Sequence, residues 1–120
     1  MEFITDPANP PAGHYSQAVV HGGFVFLSGI LPSRHGQGRF ADEVVQTLQK
    51  CNEVLALAGC EKTDIVQCTA YIVGVENWPE FNRVYADFFG DHKPARTVVP
   101  VAELHHGCLV EIQVTAARSS

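Results

Sequence analysis

Residues 94–113, PARTVVPVAELHHGCLVEIQ, decide how the chain is read. Two runs rich in apolar and β-branched residues flank a polar turn that contains Gly107, the pattern of two strands joined by a short connection. Each run carries a charge that a half-buried strand tolerates only with a partner, Arg96 at the start of the first and Glu111 within the second. Alternation puts Val110, Ile112, Val114 and Ala116 on one face, and Leu109, Glu111, Gln113 and Thr115 on the other. One face is therefore core, and the other is half polar and open. An antiparallel hairpin would set Arg96 level with Glu111 near one edge of the sheet. Arginine's planar fork is suited to a carboxylate, so Arg96 reads either as a structural ion-pair partner or as an anion clamp.

Working outward, the segment preceding this pair predicts a helix, NWPEFNRVYADFFG, with Asn77 as N-cap, Glu80 behind it and Pro79 in the first turn. Phe81, Val84, Tyr85 and Phe88 form its buried stripe, and Gly90 ends it. Before it, DIVQCTAYIVG predicts a long strand with Val66, Cys68, Ala70 and Ile72 facing the core. An earlier helix, ADEVVQTLQKCNEVLALAG, shows an apolar stripe through Val44, Leu48, Cys51, Leu55 and Ala58. Asp42 and Glu43 suit its N-terminus and Gly59 its stop. HYSQAVVHGGFVFLSG reads as a hairpin turning at Gly22-Gly23, with Phe24, Phe26 and Ser28 on one face and Val25, Leu27 and Gly29 on the other. The loop LPSRHGQGRF is polar and broken by Gly36 and Gly38, and PANPPAG at 7–13 predicts an extended arm.

The order β-β-α-β-α-β-β makes an α+β two-layer fold in one domain, residues 1–120, with helices on one face of the sheet. The other face has nothing to cover it. Packing several such sheets into a closed ring of subunits would bury it, and clefts between neighbours would then be lined by Ser28, Arg96 and Glu111.

Composition narrows the function classes. Apolar residues make up 46% and charged residues 18%, which fits a globular chain with part of its surface buried by oligomerisation. The formal net charge is −5 with no run of Lys or Arg, which argues against a nucleic-acid module. No apolar stretch is long enough to span a membrane, and the N-terminus lacks the pattern of a secretory signal. Cys51, Cys60, Cys68 and Cys108 have neither zinc spacing nor a disulfide framework, so reduced thiols and a cytoplasmic location are expected, with no metal. His105-His106 are adjacent in the chain and read as solvated loop residues. Cys108 reads as a small buried thiol and not as a nucleophile.

GHYSQAV, FVFLSG, NRVYADFFGDHKPARTVVPVAEL and GCLVEIQVTA together resemble the RidA (YjgF-type) family of enamine and imine deaminases, over nearly the whole chain and in the same order. The resemblance implies a chorismate-mutase-like fold, a barrel-like homotrimer with a cleft at each subunit boundary, and no cofactor. It implies hydrolysis of 2-aminoacrylate-like enamine or imine acids to the 2-oxo acid and ammonia. Carried over to this chain, it makes Arg96 the clamp on the substrate carboxylate, with Tyr15, Ser28, Gly29, Asn82 and Glu111 completing the pocket. The chemistry asks for these types: a guanidinium orients the acid, and a carboxylate such as Glu111 delivers water to the imine carbon, with Tyr15 or Ser28 as relay. Backbone N–H groups near Ser28-Gly29 and Val98 would share the load on the substrate carboxylate. Ile30 follows Ser28-Gly29 where family members that act on aminoacrylate commonly have Gln, and Thr97-Val98 stands where many have Ser-Cys, so Ile30 and Val98 are expected to make the cleft more apolar. A non-catalytic trimer of the same fold, holding a small carboxylate through Arg96, is the alternative from another class.

Overall fold

The computed structural model describes residues 1–33 and 38–118. A six-stranded sheet carries β1 (Glu2–Ile4), β2 (Ala18–His21), β3 (Phe24–Leu27), β4 (Ile65–Val73), β5 (Ala95–Val101) and β6 (Val110–Ala117). Two helices, α1 (Phe40–Leu57) and α2 (Trp78–Phe89), complete the chain, and the strand order is β1-β2-β3-β6-β4-β5. The α+β class and the two predicted helices are present. β1 is an addition: Glu2, Phe3 and Ile4 pair antiparallel with Val20, Val19 and Ala18. The residues between β1 and β2 do not run as an extended arm. Asp6 folds them into a turn, accepting the Ala8 N–H at 2.9 Å, while the Gln17 amide donates to the Asn9 carbonyl at 2.8 Å.

The expected β5–β6 hairpin does not form. β5 pairs parallel with β4, in register Cys68↔Arg96, Ala70↔Val98 and Tyr71↔Val99. β6 lies between β3 and β4, antiparallel to both. The residue types explain the exchange. Pro100 has no N–H and confines β5 to an edge, where one side needs no ladder. β6 has a whole face of buried Val110, Ile112, Val114 and Ala116 and suits the middle of the sheet. Residues 102–109 are long enough to cross the end of β4, a lateral move of about 10 Å.

β2 and β3 form the predicted hairpin, with His21 opposite Phe24 and positive φ at both Gly22 (61°) and Gly23 (82°), as a two-residue turn of this hand requires. In β4 a bulge skips Val66 between the pairs Ile65↔Ala116 and Gln67↔Thr115. Ile65 takes the expected core place and Val66 is turned outward.

The helices cover one face only. Val44, Leu48, Cys51, Leu55 and Ala58 of the α1 stripe are buried, as are Phe81, Val84 and Tyr85 of α2, with Phe89 joining them and Phe88 half-buried. Asn77 does not cap α2; its amide donates to the Val73 carbonyl at 2.9 Å. The opposite sheet face stays open and carries exposed Phe3, Phe24 and Phe26. All four cysteines are free and buried. Among the described residues no helix is long and apolar enough to cross a membrane, and no group of three or more His, Cys, Asp or Glu side chains could hold a metal ion. The expectation for the 31–40 loop falls partly on residues 34–37, outside those described.

Candidate active site

The residues singled out from the sequence fall into two groups on different parts of the chain. Tyr15, Ser28, Gly29 and Glu111 form the first. Ser28 follows β3, where its N–H donates to the Gln17 carbonyl at 3.0 Å and its hydroxyl to the Ser16 carbonyl at 2.6 Å. Those two bonds fasten the segment that presents Tyr15, whose ring is half exposed. They also commit the Ser28 N–H and its hydroxyl proton, leaving Ser28 as an acceptor and not as a backbone donor for a ligand.

Gly29 continues towards β6. Ile30 exchanges two backbone bonds with Ile112, at 2.8 and 3.0 Å, and this brings Gly29 against the Glu111 side chain. A Cβ on Gly29 would overlap the Glu111 carboxylate, lying 3.0 Å from its Cδ. Glycine is therefore required here for close approach. Glu111 sits on the open face of β6, opposite Tyr71 of β4, half-buried and without a hydrogen bond or ion pair among the described residues. Ile30, expected in the cleft, is instead buried in the core.

Asn82, Arg96 and Val98 form the second group, on α2 and β5. Arg96 pairs with Cys68, whose side chain is in the core, so Arg96 projects on the helix side of the sheet. Its guanidinium carbon lies 5.0 Å from the centre of the Tyr85 ring and 5.8 Å from that of Phe81. Among the described residues no acid pairs with it, so the expected partnership with Glu111 inside one chain is absent. Arg96 is exposed, as is Asn82 on α2, while Val98 is half-buried and packed against the core.

Two groups that could have neutralised Arg96 do not. Burial pushes the Cys68 thiol up to about 11, with Tyr85 and Arg96 pulling the other way. Burial, followed by Cys68, pushes the Tyr85 phenol up as well. The two lie against each other without the geometry of a full hydrogen bond, and among the described residues the buried Tyr85 hydroxyl makes no other. Both stay protonated at neutral pH, so neither sets a negative charge beside Arg96.

Glu43, in the first turn of α1, is not the solvated terminus acid its position suggests: it is 1% exposed. Its Oε1 accepts the Leu109 N–H at 2.9 Å, standing in for a strand carbonyl at the end of the β4–β6 ladder. Its Oε2 has no partner among the described residues. The signal was available: Glu43, Thr47, Cys51, Val54 and Ala58 share a helical spacing, and all are buried. His105 and His106 are exposed, as expected, with rings 3.6 Å apart.

Known proteins supply the remaining comparison. The family described as Endoribonuclease L-PSP matches residues 5–118. A bovine protein named 2-iminobutanoate/2-iminopropanoate deaminase is 34% identical over 122 residues, covering 96% of this chain and 89% of its own. A RutC family protein of Pyrococcus horikoshii is 35% identical, covering 95% and 94%. Among solved structures, E. coli TdcF with bound serine superposes with a TM-score of 0.89 at 30% identity, over 99% of this chain and 100% of that one. The YjgF gene product of E. coli superposes at 0.90 with 28% identity, over 99% and 100%. With nearly its whole length matched in both sequence and fold, the chain belongs to the Endoribonuclease L-PSP family, the RidA/YjgF-type proteins.

Proposed function

We propose that the protein is a cofactor-independent hydrolytic deaminase of reactive enamine or imine acids, working as a homotrimer with its sites at the boundaries between protomers. One observation carries this reading: among the described residues Arg96 is an exposed guanidinium with no acid beside it, and Glu111 an unpaired carboxylate, on opposite faces of the same sheet. One chain cannot bring the two to a common ligand. A neighbour packed on the open face, where Phe3, Phe24 and Phe26 are exposed, supplies the missing half. The site then joins Tyr15, Ser28, Gly29 and Glu111 of one protomer to Asn82, Arg96 and Val98 of the next.

Arg96 grips the substrate carboxylate in two parallel hydrogen bonds and so fixes the imine carbon. Glu111 takes a proton from water as the oxygen adds to that carbon, forming a carbinolamine. As nitrogen takes a proton and the carbinolamine hydroxyl gives one up to Glu111, the C–N bond breaks, and the products are the 2-oxo acid and ammonia. An enamine acid enters this sequence once its terminal carbon has taken a proton and made it the imine. Ser28 accepts a hydrogen bond from the intermediate, and Tyr15 closes the mouth. The bovine relative's name supports the reaction, and the serine held by TdcF, an α-amino acid, supports a carboxylate-bearing ligand. That bound amino acid is also what a non-catalytic carboxylate binder of this fold would hold, which makes such a binder the second reading. Despite the family's description, the net charge of −5 weighs against RNA as substrate.

The test couples a pyridoxal-phosphate dehydratase, which releases the enamine acid, to competition between this protein and semicarbazide. Faster keto-acid release with the native protein, lost in Arg96→Ala, is expected. Release no faster than in buffer leaves the binder, and equal release by Arg96→Ala removes the clamp.

A further inference from the structure

The unusual feature of Arg96 is what holds it. A surface arginine is commonly fixed by an acid, which takes up its N–H donors and its charge. Here the guanidinium instead lies over the faces of Tyr85 and Phe81, 5.0 and 5.8 Å from their centres. The rings form a rigid shelf. Phe81, Tyr85 and Phe89 recur every four residues along α2 and are all buried, with centroids 5.4 Å apart from Phe81 to Tyr85 and 4.6 Å from Tyr85 to Phe89. A ring face attracts a cation through its quadrupole and uses no N–H group in doing so. Among the described residues the five donors therefore stay free, and no acid competes with a ligand for them.

We propose that Tyr85 is the positioning residue for Arg96, its ring face setting the guanidinium so that both N–H edges are presented to a planar carboxylate. The inference rests on the reading that Arg96 holds the ligand carboxylate, and it deepens that reading by naming what orients the clamp. The hydroxyl of Tyr85 is incidental: it is buried against the Cys68 thiol, while the guanidinium lies over the ring, so the ring and not the oxygen does the orienting.

The experiment replaces Tyr85 by phenylalanine and then by site-specifically incorporated phenylalanines of increasing fluorination, which keep the shape of the ring while draining its negative face. Benzoate affinity of the assembled protein and the KM and kcat for the enamine acid are read for each. Tyr85→Phe should leave benzoate affinity within about twofold, and the most fluorinated ring should weaken it about five- to tenfold, the size of a partly desolvated cation–π contact. The loss should fall on KM, with kcat little changed and the melting temperature level across the series. A flat benzoate series overturns the inference while leaving the deaminase reading standing. A graded series in a protein with no turnover upholds the positioning role and removes the deaminase. If the native protein turns over the enamine acid without binding benzoate, the KM series decides the inference in its place; absence of both benzoate binding and turnover overturns both.

Discussion

Arg96 and Glu111 stand on opposite faces of one sheet with strand β4 between them, Arg96 in register with Cys68 and Glu111 with Tyr71. A site that needs both must draw them from two chains. Mixing Arg96→Ala protein with Glu111→Gln protein, each inactive alone, should therefore restore activity when the protomers are allowed to exchange. Random assembly leaves about a quarter of boundaries with both native residues, and activity should approach that fraction. Hybrids as dead as their parents would place both residues' work within one chain.

The close packing of Gly29 on Glu111 gives a second test. Gly29→Ala puts a methyl group where the carboxylate lies, and that side chain must turn away. Enamine-acid turnover should fall by at least tenfold while the melting temperature drops only a few degrees. Full turnover by this variant would mean that the position of Glu111 does not matter to the reaction.

Glu43 separates two parts of a buried carboxylate's effect on stability. Glu43→Gln keeps an oxygen for the Leu109 N–H and removes the charge, so its urea midpoint should match or exceed that of the native protein. Glu43→Ala leaves that N–H unsatisfied beside a cavity, and about 2–4 kcal/mol should be lost. Hydrogen exchange at the Leu109 amide should quicken in Glu43→Ala alone.

Alkaline stability should follow Cys68. Its folded-state value is raised from 9.0 to about 11, so the native state keeps a proton that the unfolded chain releases. The stability linked to that proton is fully present below pH 9 and is lost as pH rises through about 11. Two units correspond to about 3 kcal/mol, and Cys68→Ala should lessen the slope of this stretch of the stability curve, leaving the part that the Cys51 thiol and the Tyr85 phenol, also raised by burial, contribute. Urea unfolding at pH 8, 9.5 and 10.5 checks it; identical slopes for the two proteins would assign the alkaline loss to other groups.

Local pattern was enough for the two helices, the Gly22-Gly23 hairpin and the face assignment of β6, because each depends on periodicity and turn chemistry within about twenty residues. It was also enough to single out Arg96 and Glu111, since a charge within an apolar run stands out in any sequence. Pairing was another matter. Strand neighbours depend on which ladder each edge can complete, and Pro100 sent β5 to the rim while the apolar face of β6 took it between β3 and β4. The sequence held the proline, but its consequence needed the whole sheet. The same holds for Glu43, Ile30 and Val66: a helix terminus, a strand exit and a bulge become core or surface only when other elements arrive. The types of residue at these positions were written in the chain, whereas the division of Arg96 and Glu111 between two faces of the sheet was decided by the tertiary structure, because β4 lies between them.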